Sequence, residues 1–150
     1  MQSALLYLCV ALAAVGAGCD IRLRRIPNVL CLLLAAAALA YASVAGGETG
    51  LLWGLAHAAL ALPVGMGLFA LGMIGGGDAK FYSAAALAIP LPAGLYFLGW
   101  TSAAGLVLLF VIIVGNRLFG RKRKSAKEFR KMEMPYGVAI ACGFAMTMFA

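Results

Sequence analysis

Apolar positions along the chain come in long unbroken runs, neither alternating nor confined to one face of a helix. Residues 1–19, 26–47, 49–77, 81–116 and 134–150 contain no Asp, Glu, Lys or Arg. A helix needs roughly 20 apolar residues to cross the hydrocarbon of a bilayer. The run 81–116 is too long for one crossing, and Pro90 and Pro92 punctuate it, so it predicts two. The runs lack the period-two alternation that strands of a membrane barrel require. The expected fold is therefore an all-α integral membrane protein, a single domain over 1–150 with six transmembrane helices. The helices are expected at about 3–19, 27–45, 51–72, 78–89, 94–115 and 135–150.

Composition agrees. The 150 residues are 65% hydrophobic and 11% charged, more apolar surface than a soluble domain of this size can bury. The formal charge of +7 matters through its placement. Arg22, Arg24 and Arg25 fall in the first connection and Lys80 in the third. Arg117, Arg121, Lys122, Arg123, Lys124, Lys127, Arg130 and Lys131 fall in the fifth. The even connections carry only Glu48. Basic residues mark cytoplasmic connections, so both termini are expected outside and the odd connections inside. Lysines and arginines beside membrane helices set topology and touch anionic headgroups, so lipid is an expected partner and nucleic acid is not. Within the fifth connection, Ser125-Ala126-Lys127-Glu128 has the form of a capping box and predicts a short interfacial helix before the last span. Cys9, Cys19, Cys31 and Cys142 form no C-x-x-C pair, so neither a disulfide nor a metal site is expected, and nothing calls for a cofactor.

Against this background two acids stand out. Asp20 closes the first apolar run in Gly18-Cys19-Asp20-Ile21-Arg22, and Asp78 follows three glycines in Gly75-Gly76-Gly77-Asp78-Ala79-Lys80. A carboxylate at membrane depth is costly and marks a functional site by default. The predicted topology brings both to the cytoplasmic face. Each glycine costs about 1 kcal/mol against alanine inside a helix, so Gly75–Gly77 are expected to form a loop or re-entrant turn. Non-helical backbone at that depth survives only where protein or a wet cavity surrounds it.

Two adjacent carboxylates can hydrolyse an amide if one is ionised and one protonated. The ionised one takes a proton from the attacking water, and the other donates to the carbonyl oxygen. Asp78 is expected at a helix N-terminus, which favours negative charge, and Asp20 at a helix C-terminus, which disfavours it. Asp78 is therefore expected to be the base and Asp20 the acid. His57, in the outer half of the third helix, is expected far from both as a packed or hydrogen-bonded residue.

At these residues the chain resembles the type IV prepilin peptidases, membrane aspartic proteases of the GxGD type. Gly75-Gly76-Gly77-Asp78-Ala79-Lys80 is similar to the family's G-x-G-D-x-K. Asp20, followed by Ile26-Pro27-Asn28, resembles its first catalytic aspartate and the "D…IPN" continuation. Pro135-Tyr136-Gly137 with Ala139-Ile140 resembles the P-Y-G-x-A-I segment that opens the last helix. The resemblance implies catalysis by Asp20 and Asp78. It implies substrate-binding or supporting roles for Gly75, Gly76, Gly77, Lys80, Pro27, Asn28, Pro135, Tyr136 and Gly137. It further implies removal of a short basic leader from pilin or pseudopilin precursors at the cytoplasmic side of a bacterial inner membrane. The paired C-x-x-C motifs of the long bifunctional members are absent, so methyltransferase activity is not expected. The chain looks like the compact kind that serves tight-adherence (Flp) pili, with archaeal preflagellin peptidases as the near alternative. A small proton-coupled transporter, which would place its acids near mid-bilayer, and an inactive secretion-complex subunit are the rival classes.

Overall fold

A computed structural model describes residues 1–118 and 135–150. Its elements are α1 (Gln2–Leu23), α2 (Asn28–Ala70), α3 (Gly76–Ala86), a 3-10 turn (Leu91–Ala93), α4 (Gly94–Leu118) and α5 (Tyr136–Phe149). The described residues contain no strand, in keeping with the all-α expectation. The interfacial helix expected around Ser125–Glu128, and with it most of the basic fifth connection, lies outside the described residues.

The second and third predicted helices run together as α2, which is broken at Gly47 (φ 57°, ψ −145°). Only glycine adopts such a backbone cheaply. The break is a reversal of direction. A straight helix of 43 residues would be roughly 65 Å long. Instead Asn28, its first residue, and Gly72, just beyond its last, line the same cavity. At the other end, a Cβ added to Gly50 would lie 2.7 Å from the Ala42 carbonyl oxygen. The outer turn expected at Gly46-Gly47-Glu48 is thus compressed to essentially one residue.

Three boundaries differ from expectation. First, α1 does not stop at Cys19 but continues to Leu23, closing on Arg24 in the left-handed conformation, whose N–H bonds the Asp20 carbonyl at 3.0 Å. Asp20 therefore lies inside the helix, about one turn before its end. Second, Gly76 and Gly77 are helical, with Gly75 as N-cap. The first N–H groups of a helix have no intrahelical partner, so glycine loses little there. The non-helical backbone falls earlier, with Gly72 at φ 70°. Third, α3 has only 11 residues and is about 16 Å long, short of the roughly 30 Å hydrocarbon. Pro90 and Pro92 follow it and force the 3-10 turn.

Among the described residues three helices are long and apolar enough to cross a membrane, namely Gln2–Leu23, Asn28–Ala70 and Leu91–Gly115, and Tyr136–Phe149 is a shorter apolar helix. The outer surface is correspondingly apolar, with Leu32, Leu106 and Phe110 each about two-thirds or more exposed. The interior packs around Phe81, Phe97, Phe144, Leu34 and Ile89. Small residues let the helices approach closely. A Cβ on Gly16 would come within 2.6 Å of the Phe81 ring, joining α1 to α3. One on Gly143 would strike Thr101, joining α5 to α4.

Candidate active site

Asp20 and Asp78 are brought to one cavity of about 690 Å³ at the end of the bundle where α1 closes and α3 begins. Each is positioned by the start of a helix, but by different routes. Asp78 occupies the third position of α3, and its Oδ2 accepts the Gly75 N–H at 3.2 Å, one half of a capping box. Glycine suits position 75, because a Cβ there would lie 2.7 Å from Asp78 Oδ2. Asp20 is held from 117 residues away. Its Oδ2 accepts the N–H of Gly137, in the first turn of α5, at 2.8 Å. A Cβ on Gly137 would meet Asp20 Cβ and Oδ2 at 2.9 Å, so only glycine lets this backbone come so near.

The placement of Asp20 reverses the expected electrostatics. The carboxylate projects from near the C-terminal end of its own helix, yet it lies at the N-terminal end of α5, where backbone N–H groups and the helix dipole favour an anion. The shorter of the two anchoring bonds is the one to Asp20. Asp78, in the first turn of a helix too short to span, has its carboxyl pushed up to about 6 by burial and by the neighbouring Asp20 charge, against the opposing pull of the Gly75 N–H. The helix-end argument made Asp78 the anion; the contacts favour Asp20.

Most of the other sequence-predicted site residues share this cavity: Asn28, Gly75, Gly76, Gly77, Lys80, Pro135 and Tyr136 all line it. Lys80 Nζ reaches Asn28 Oδ1 at 3.5 Å, tying the start of α3 to the start of α2. Pro27 does not line it. It is the N-cap of α2, and its carbonyl accepts the Leu30 and Cys31 N–H groups. Arg24, Arg25 and the 72–74 turn also line the cavity and were not singled out from the sequence. The run of basic residues after Asp20 is the sequence signal for the first two.

A second cavity, of about 360 Å³, begins at the same Asp78 and Tyr136 and extends between α2, α3 and α4. His57 lies on its wall. The residue is buried, as expected, with Nδ1 2.9 Å from the Ile89 carbonyl. The cavity it lines also reaches Asp78.

An all-helical membrane protein with a pair of hydrogen-bonded carboxylates in one cavity is the class that fold and site define. A model of the type IV leader peptidase family matches residues 5–110, more than half of the chain, and the protein belongs to that family. Membership implies a peptidase, a hydrolase, with a prepilin-type substrate. No curated protein and no solved structure matches the chain.

Proposed function

We propose that the protein is an aspartic endopeptidase in which Asp20 and Asp78 share one proton and cut the leader from a prepilin or pseudopilin. The observation that carries this reading is that both acids line one cavity, each with a single backbone N–H on a carboxylate oxygen. That leaves lone pairs on each carboxylate for water and for substrate. Asp20, better anchored as an anion, takes a proton from a water molecule as its oxygen attacks the scissile carbonyl carbon. Asp78 donates its proton to the carbonyl oxygen, giving a neutral tetrahedral diol. Return of a proton from that diol to Asp78, and transfer of the Asp20 proton to the departing nitrogen, break the C–N bond and restore the pair.

Six spans, with both termini outside and the site facing the cytoplasm, are the topology that the charge distribution supports. It lets a leader reach the cavity from the cytoplasm while the rest of the precursor stays in the bilayer. The basic connections hold anionic headgroups in this arrangement. A Flp-type pilin is the proposed substrate.

The test is co-expression with a Flp-type pilin precursor, reading the mobility shift of the cleaved product. Wild type is expected to cleave, and Asp20→Asn and Asp78→Asn are each expected not to. No cleavage by wild type, or undiminished cleavage by both variants, sinks the reading.

A further inference from the structure

The hydrogen bond of His57 ties α2 to the far end of the element that carries Asp78. Its Nδ1 lies 2.9 Å from the carbonyl oxygen of Ile89, in the turn that follows α3. A carbonyl only accepts, so Nδ1 carries the proton. Carbonyls at the end of a helix have no intrahelical partner, and Pro90, next in the chain, has no N–H. In a bilayer such a group must find its partner within the protein. His57 supplies it from α2.

The ring is held on its other sides as well. It meets Tyr82 of α3 and Phe97 of α4 edge-on, and these two stack on each other with centroids 4.3 Å apart. Its Nε2 side packs on Gly94, where an added Cβ would lie 3.0 Å away. His57 is only 4% exposed, so it fills the corner where α3 ends and α4 begins.

That corner matters because of the length of α3. A helix that spans has its depth set by the two interfaces. With 11 residues, α3 is too short for both, so its neighbours must set its depth. It packs chiefly on the second half of α2. A Cβ on Gly54 would strike the Leu87 carbonyl, and one on Gly65 would lie 2.9 Å from Ala79 Cβ. Small residues let two helices approach closely, but they do little to fix how far one has slid along the other. A directional hydrogen bond does. Asp20 is anchored separately, by α5. Sliding of α3 by one residue, about 1.5 Å, would therefore change the gap between the acids directly.

We propose that His57 is a positioning residue for Asp78: its bond to the Ile89 carbonyl stops α3 at the depth where Asp78 meets Asp20, about three turns of helix away. The inference rests on the reading of the acid pair as a peptidase. A histidine that merely packs would need its ring and not its donor, and the two can be separated. His57→Phe keeps a ring and removes the donor. His57→Asn removes the ring and keeps an N–H close to the place of Nδ1. His57→Leu has the shape of the Asn variant without its donor.

The experiment uses the full chain in liposomes with the Flp-type precursor, and the Tm of each variant reads folding separately. His57→Phe is expected to lower kcat about tenfold with KM changed less than about twofold, since slight misplacement of a reacting group is costly. His57→Asn is expected to recover kcat to within about threefold of wild type. The alkaline limb of kcat/KM near pH 6, which the neighbouring Asp20 charge helps to set, is expected to move in His57→Phe and not in His57→Asn. Both variants lack the imidazole, so its own titration cannot produce that difference. Wild-type kcat in His57→Phe overturns the proposal. So does a loss with an unmoved limb, the mark of less folded enzyme, or an Asn variant no better than the Phe variant. If His57→Phe does not fold, His57→Leu against His57→Asn decides in the same terms. Wild-type cleavage that Asp78→Asn abolishes establishes the peptidase reading separately, so normal cleavage with donor-free variants defeats the positioning role alone.

Discussion

Asp20 and Asp78 face one cavity, but the two halves of the site are built differently. The Asp78 half is local. Its anchor is the N–H of Gly75, three residues back, and both belong to one turn of α3. The Asp20 half is assembled across the whole chain, from a residue near the end of α1 and the first turn of α5. A local anchor forms whenever its helix forms. A distant anchor holds only when two helices are packed in register, and in return it places a carboxylate at the start of a helix to which it does not belong. The difference teaches that an acid's expected charge cannot be taken from the end of its own helix alone.

The largest expected effect removes either carboxylate. Asp20→Asn and Asp78→Asn are each expected to lower kcat by at least about a hundredfold, the size of a lost general acid or base. A tenfold effect at one position only would mean that the two halves are not equivalent in chemistry. Next comes the anchor itself. Gly137→Ala sets a methyl 2.9 Å from Asp20 Cβ, a short stiff branch that cannot step aside. Cleavage is expected to fall about ten- to a hundredfold, since small misplacement of a reacting group is costly. Gly75→Ala meets the far end of the Asp78 side chain instead, which can rotate, and is expected to cost clearly less. Equal losses would erase the distinction between a distant and a local anchor.

The pH profile of kcat/KM, which reports groups of the free enzyme, tests which acid holds the proton. The Asp78 carboxyl is raised to about 6, so its protonated form dominates below that pH and is lost as the pH rises through it. Activity that needs this proton is expected to decline on the alkaline side of about 6. A profile flat to pH 8 would remove Asp78 as the resting acid. The smallest effect is at the tie between α2 and α3. Lys80→Met loses a long 3.5 Å contact to Asn28 and is expected to change cleavage by less than about threefold, as exposed polar pairs contribute little.

The two acids, the glycines before Asp78 and the Pro135-Tyr136-Gly137 segment could be read along the chain because each breaks an apolar run with a residue type that is expensive there. The structure brings all of them to one end of the bundle; Pro27, between the cavity residues Ile26 and Asn28, caps α2 there without lining the cavity. The helix count was less legible. Apolar runs report where chain can lie in a bilayer, not where a helix stops, so α3 is shorter than a span and Gly47 alone makes a turn for which three residues were expected. The contacts favour the opposite proton assignment for a tertiary reason, because no local pattern around Asp20 announces a backbone N–H arriving from position 137. His57 was legible as buried and hydrogen-bonded. The cavity beside it was not, because its walls come from separate helices whose pairing no single run encodes.

The bond between Gly137 and Asp20 also has a consequence in time. Synthesis proceeds from α1 towards α5, so Asp20 is made well before the residue that holds it. Until α5 has entered the bilayer and docked, Asp20 has no N–H from Gly137 and the proposed pair is incomplete. On the proposed reading, a chain that has not yet docked α5 carries two stray acids, and cleavage waits for that docking.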